Sequence, residues 1–118
     1  KIIVNVDPNK VARVFENLLI NAIRYSIKPS NIKIILTKNN GFSLVSIQNK
    51  CEKMSEDNLK KIFDRFYRVE KSRSSDTGGS GLGLAIAKSM VELQEGFIEA
   101  TYENGYINFN VQFKIVKK

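Results

Sequence analysis

Histidine and tryptophan are absent from the 118 residues, and cysteine occurs once, as Cys51. Without histidine the chain carries no imidazole base, nucleophile or metal ligand. A lone cysteine excludes an internal disulfide and a cysteine-based zinc site. No apolar run reaches the ~20 residues of a membrane-spanning helix, and no secretory signal pattern opens the chain. Acidic residues are the minority, 12 against 19 Lys and Arg, for a net charge of +7. That surplus favours anionic partners. The basic residues are scattered, however, with only modest concentrations at Lys60-Lys61, Arg65 to Arg73 and the tail. A dedicated nucleic-acid stripe is not evident, and mixed, solvated charge is the plainer reading.

What is present is ordinary globular material. Hydrophobic residues make up 42% of the chain, enough to build a core and too many for a disordered segment. The length suits one domain. Lys1 is not an initiator Met and leads directly into IIVNV. The chain therefore reads as a single domain, 1–118, excised from a longer protein.

Periodicity divides the chain into elements. Residues 2–6 are the first strand candidate. Asp7-Pro8 is an N-cap followed by proline at the first helical position. Val11, Val14, Phe15, Leu18, Leu19, Ala22 and Ile23 then recur at i, i+3, i+4, i+7, predicting an amphipathic helix over 8–26. Strands are predicted over 32–37 and 42–49, joined by the hairpin signal Asn39-Asn40-Gly41. Ser55 caps a short helix carrying Leu59, Ile62 and Phe63. Residues 69–80 are polar and glycine-containing, a loop pattern. A second long helix is predicted over 81–94, with Leu84, Ala85, Ile86, Met90, Val91 and Leu93 facing the core. Strands over 97–102 and 106–116 flank a second hairpin signal, Asn104-Gly105. The expected fold is an α+β two-layer sandwich: about three helices on one face of a mixed, mainly antiparallel five-stranded sheet.

Two clusters carry chemistry. Gly78 to Lys88 reads GGSGLGLAIAK, with Gly79, Gly81 and Gly83 running into the second helix. Glycines at a helix entrance expose backbone amides at the positive end of the dipole, which suits a phosphate chain. The run has no Lys-Ser/Thr ending and follows KSRSSDT rather than a strand, so it matches neither a P-loop nor the dinucleotide fingerprint. A flexible linker reads equally well in isolation. On the first helix, Asn17, Asn21 and Arg24 share one stripe at i, i+4 and i+7. Amide oxygen is a hard ligand for Mg²⁺, and arginine forks onto phosphate. The competing reading is an ordinary solvated helix face.

Taken together, the motifs resemble a known family. ENLLINAIRYS (residues 16–26) resembles the asparagine box of sensor histidine kinases. KIFDRFYRVEKSRS (61–74) resembles their phenylalanine box and lid, and GGSGLGLAIAK their second glycine box. The order and spacing are the family's, and the likeness runs from about residue 6 to 113. Residues 68–88 are most similar to the vancomycin-resistance type. The resemblance is to the catalytic and ATP-binding domain alone, and it implies the Bergerat fold shared with gyrase and heat-shock protein 90. By that resemblance Asn21 coordinates Mg²⁺ and Asn17 supports the metal–phosphate site. Arg24 contacts phosphate, Tyr25 borders the nucleotide and Arg68 reaches the γ-phosphate. Gly79, Gly81, Leu82, Gly83 and Leu84 shape the lid hinge and phosphate cradle, and Phe63 and Phe66 anchor the lid base. Plain core packing accounts equally well for Phe63.

The implied activity is transfer of the ATP γ-phosphoryl group to a histidine in a separate dimerisation domain, and through it to a response-regulator receiver domain. The implied parent is a homodimeric, membrane-bound sensor whose catalytic domain is cytoplasmic, and this chain alone is monomeric and inactive. Nucleic acid is not an expected partner. In the related ATPases a glutamate four residues before the metal Asn activates water. Asn17 stands there and cannot act as a base, and Glu16 is displaced about a quarter turn.

The first glycine box departs from the family's DxGxG. Asn49 replaces its Asp, Cys51 the first Gly and Lys53 the second, with Met54 following. A carboxamide accepts from the adenine amino group, but as a neutral bond about half as strong as a charged one. If the family backbone there needs positive φ, Cys51 and Lys53 must strain or reshape the loop. Gln94-Glu95-Gly96 stands where His-Gly-Gly is common. Two alternatives follow: a degenerate, weakly or non-nucleotide-binding docking module, and an ATPase of the gyrase type.

Overall fold

The computed structural model describes residues 2–27, 31–65 and 82–116. Helix α1, Pro8–Tyr25, starts where the sequence places it. The Asp7 carboxylate accepts from the Asn9 and Lys10 amides at 3.0 and 3.3 Å, and Pro8 occupies the first turn. Cap and proline together satisfy donors that no helical carbonyl reaches. Strands β1, Lys33–Asn39, and β2, Phe42–Lys50, form a hairpin. Its turn residues Asn40 and Gly41 both hold positive φ, 52° and 86°, the two-residue type that matches strand twist. Helix α2, Glu56–Lys61, is capped by Ser55, whose Oγ accepts from the Asn58 amide at 3.0 Å. Helix α3 spans Gly83–Leu93. Strands β3, Phe97–Glu103, and β4, Tyr106–Lys114, close the chain around Asn104 and Gly105, at φ 54° and 87°.

The sheet order is β1-β2-β4-β3, and every pairing is antiparallel. The α+β sandwich is as expected, but among the described residues the sheet has four strands, all antiparallel, rather than five in a mixed sheet. Residues 2–6 contribute a single bridge, Val4 to Ile115. Ile115 donates to Gly41 O at 2.9 Å and Val116 to Ile3 O at 2.8 Å. The end of the chain thus divides its bonds between the β1–β2 turn and the N-terminal segment, and no ladder develops.

α1 packs against β2 and α3, while α2 and α3 pack against β3. The core between the layers joins Val14, Leu18 and Ala22 of α1, Ala87 and Val91 of α3, and Ile47, Ile98, Ile107, Phe109, Val111 and Phe113 of the sheet. Cys51 and Ile62 complete it. Burial alternates along β4 because one face meets the helices and the other meets water. β1 is exposed along its whole length. Ile34 and Leu36 pair beside Ile47 and Val45, yet remain 57% and 58% exposed at the sheet edge. Ile23, Ile86 and Leu93, expected in the core, are also exposed. The two long helices turn these residues outward, and Ala87 takes the inner position on α3.

α3 ends in a Schellman arrangement. Gly96 N–H donates to Val91 O and Glu95 N–H to Glu92 O, both at 2.9 Å. Glu95 takes the left-handed position at φ 61°, which glycine usually fills. Gly96 answers a different demand. A Cβ there would lie 2.6 Å from Phe113 Cε1 and 2.7 Å from Gln112 O, so only glycine lets the chain pass from α3 into β3 this close to β4.

Two measurements check these points. Gly96→Ala is expected to destabilise the fold by about 2–3 kcal/mol through overpacking, and Glu95→Gly to stabilise it by about 0.5–1 kcal/mol. Urea-denaturation midpoints should move in opposite directions. The Cys51 thiol is pushed up by burial, an effect partly offset by an Ile107 backbone hydrogen bond and reinforced by Glu52. The unfolded chain therefore ionises this thiol before the folded chain does. Its stabilising contribution is intact below the ordinary thiol value of about 8.5 and is lost as pH rises beyond it. Stability should fall less steeply over that range in Cys51→Ala.

Candidate functional site

Packing of α1 on α3 brings two distant motifs together. Asn17 Nδ2 donates to Gly83 O at 3.2 Å, joining the asparagine stripe to the start of the glycine-led helix. At the other end, Gln94 Oε1 accepts from the Asp7 amide at 2.8 Å. The helices therefore run antiparallel, with Asn17 held beside the α3 entrance. Asn21, one turn further along, is partly buried, and Arg24 is exposed in the last turn of α1.

Among the described residues the α3 entrance is open in two senses. Its N-cap is Leu82, whose side chain makes no capping hydrogen bond. The leading amides of a helix have no intrahelical acceptor, and the dipole adds partial positive charge there. A Cβ added at Gly83 would meet nothing within 4 Å. Leu82 is partly buried, and Leu84 packs against the core.

The third component is the end of β2. Asn49 is 1% exposed, and among the described residues its Oδ1 has no hydrogen-bond partner. Its Nδ2 donates to Lys50 O at 3.4 Å, a carbonyl that also accepts from the Ile27 amide at 2.8 Å. A buried acceptor left unpaired costs about 1–3 kcal/mol. Such an atom fits a ligand that brings its own donor, as an adenine amino group does. After Lys50 the chain leaves the sheet. The Cys51 N–H donates to Gly105 O at 3.1 Å, and Tyr102 Oη donates to Cys51 O at 3.4 Å. Cys51 and Lys53 are not among the described residues with positive φ. Neither position therefore carries positive-φ strain. Lys53 is exposed, and Met54 packs against the core.

Tyr25 is exposed at the end of α1. Phe63 meets Phe109 edge-on at 6.0 Å, and Lys88 Nζ lies 5.7 Å from its ring centre. It thus serves the core and also joins the segment after α2 to α3. Phe66, Arg68, Gly79 and Gly81 lie outside the described residues. Sequence reading missed Tyr102, Gly105 and Ile27. They act through hydroxyl or backbone groups on segments remote from residues 49–51, so no local pattern marks them.

Residues 6–116 match the family model described as histidine kinase-, DNA gyrase B-, and HSP90-like ATPase. The sensor protein VanS of Enterococcus faecium is 44% identical over 110 residues, covering 92% of this chain and 28% of that protein. The sensor histidine kinase WalK of Bacillus subtilis is 37% identical over 116 residues, covering 94% and 19%. This chain therefore spans under a third of the length of either relative. Among solved structures, the catalytic domain of histidine kinase ThkA, in a nucleotide-free form, superposes with a TM-score of 0.79 at 26% identity. That match covers 94% of this chain and 70% of that one. With the asparagine stripe and the glycine-led helix brought side by side in the matching fold, the chain belongs to the histidine kinase-, DNA gyrase B- and HSP90-like ATPase family.

Proposed function

We propose that this chain is the ATP-binding catalytic domain of a two-component sensor histidine kinase. It transfers the γ-phosphoryl group of ATP to a histidine in a dimerisation domain of the parent protein. The observation that carries the reading is the bond from Asn17 to Gly83. It holds the Asn17 carboxamide at the start of α3, and Asn21 follows one helical turn further along α1.

The division of labour follows from the donor sets. Asn49 Oδ1, buried and unpaired, accepts the adenine amino group. The first-turn amides of α3, with Arg24, hold phosphate oxygens. Asn17 uses its donor end on Gly83, so its acceptor end is left for the metal–phosphate site. Asn21 supplies an amide oxygen of the hard kind Mg²⁺ favours. Bound there, Mg²⁺ would neutralise phosphate charge. The chain supplies positioning and charge neutralisation rather than covalent chemistry. Arg68 is assigned to the γ-phosphate, Gly79 and Gly81 to the lid hinge and Phe66 to the lid base.

The absence of histidine from the chain fits an acceptor on another domain. The likeness to sensor proteins supports a homodimeric, membrane-bound parent with this domain in the cytoplasm and a receiver domain downstream. Asn17 in place of a catalytic glutamate disfavours the gyrase-type ATPase. The lack of positive-φ strain at Cys51 and Lys53 counts against a degenerate docking module.

Calorimetric titration with Mg-ATP is expected to give saturable binding, and no heat at millimolar nucleotide would overturn the reading. Asn49→Asp should tighten binding up to about tenfold, by converting a neutral bond into a charge-assisted one. Incubation with radiolabelled ATP should leave the chain unlabelled, because it contains no phosphoacceptor histidine.

A further inference from the structure

We propose that Tyr102, which lies outside every motif, is a positioning residue for the nucleobase end of the site. The inference rests on the nucleotide-binding reading above and adds a residue to it. The buried acceptor Asn49 belongs to the last paired rungs of β2, opposite Ile107. Its orientation depends on the next two residues. Lys50 supplies the carbonyl that holds Asn49 Nδ2, and Cys51 fixes the direction in which the backbone leaves the sheet.

Cys51 is held from both sides by one hairpin. Its N–H reaches the carbonyl of Gly105 in the β3–β4 turn, and its carbonyl receives the Tyr102 hydroxyl from β3. Tyr102 and Asn49 flank the same residue of β4, since Ile107 pairs with both. The hairpin therefore braces the exit of the base-recognition segment. Among the described residues, the Tyr102 hydroxyl is the only side-chain group that the hairpin brings to that brace.

The Tyr102 ring packs against the core, so removing only the hydroxyl leaves its apolar contacts in place. What is lost is the direction of the Cys51 carbonyl, and with it the placement of Asn49 Oδ1. Hydrogen-bond recognition is sensitive to such shifts, because a buried acceptor rewards only a donor at the right distance and angle.

Tyr102→Phe tests this in the 118-residue chain. Binding of Mg-ATP, by calorimetry, and of adenosine, by NMR titration, should both weaken by about three- to tenfold, the worth of one neutral hydrogen bond. Binding of inorganic tripolyphosphate, which engages only the phosphate end, should not change. In an Asn49→Ala background the same substitution should have no further effect on adenosine, since the acceptor it positions is gone. Unchanged adenosine binding overturns the inference and leaves the nucleotide-binding reading intact. An equal loss for tripolyphosphate also overturns it, by showing a general loosening of the fold. Failure of the unaltered chain to bind either ATP or adenosine overturns both. Tyr102→Leu is the second variant should Tyr102→Phe not fold, with the same expected readouts.

Discussion

The site depends on the antiparallel packing of α1 on α3. The helices are separated in sequence by two strands, a short helix and a polar stretch, yet they are fastened at both ends. Asn17 holds the entrance of α3 through Gly83, and Gln94 at its exit holds the Asp7 amide where α1 begins. Between these points Val14, Leu18, Ala87 and Val91 are fully buried. Burying such side chains drives the packing by roughly 1.5–3 kcal/mol each for the larger ones. The polar bonds set the register. A helix sliding by one turn would bury the same apolar area but would carry the asparagines away from the glycine.

The opposite wall follows a different principle. Where the family resemblance leads one to expect glycines, this chain uses a strand end, and hydrogen bonds to a neighbouring hairpin replace backbone freedom. Cys51 pays no penalty of positive φ and adds a small apolar side chain to the core. Asn49 retains an acceptor at the same place without its charge. A buried carboxylate without a cation would carry a heavier desolvation cost than a carboxamide. The neutral amide is thus compatible with a dry pocket, in exchange for a weaker bond to the proposed base.

The chemistry proposed for this domain is one of placement. It offers amide oxygens, backbone amides and arginine, and no imidazole or thiolate nucleophile. The thiol it does have is folded into the core and pushed toward its neutral form by burial. Such a set suits a reaction in which the attacking group comes from elsewhere. The domain's task is then to present a phosphoryl group in line with it.

Much of this was legible in the sequence, for local reasons. The Asp7-Pro8 start, the α1 stripe, the Ser55 cap and both Asn-Gly turns depend on neighbours within a few residues, and all appear where the pattern places them. The asparagine and glycine motifs, and the loss of the first-box Asp, were equally visible. Other features were not. A periodic pattern records that a residue is apolar but not whether another element covers it. Ile23, Ile86 and Leu93 therefore read as core and are exposed. The N-terminal strand shrank to one bridge because its partner segment was shared with a turn. The brace of Tyr102 and Gly105 on Cys51, and the unpaired oxygen of Asn49, exist only because non-adjacent strands are paired in one register. Sequence alone determined which segments are helix, hairpin and cap, and which family they spell, since those follow from short-range periodicity and turn chemistry. Tertiary structure alone decided which polar atoms meet and which is left without a partner, since burial and hydrogen bonding are properties of surfaces brought together from distant parts of the chain.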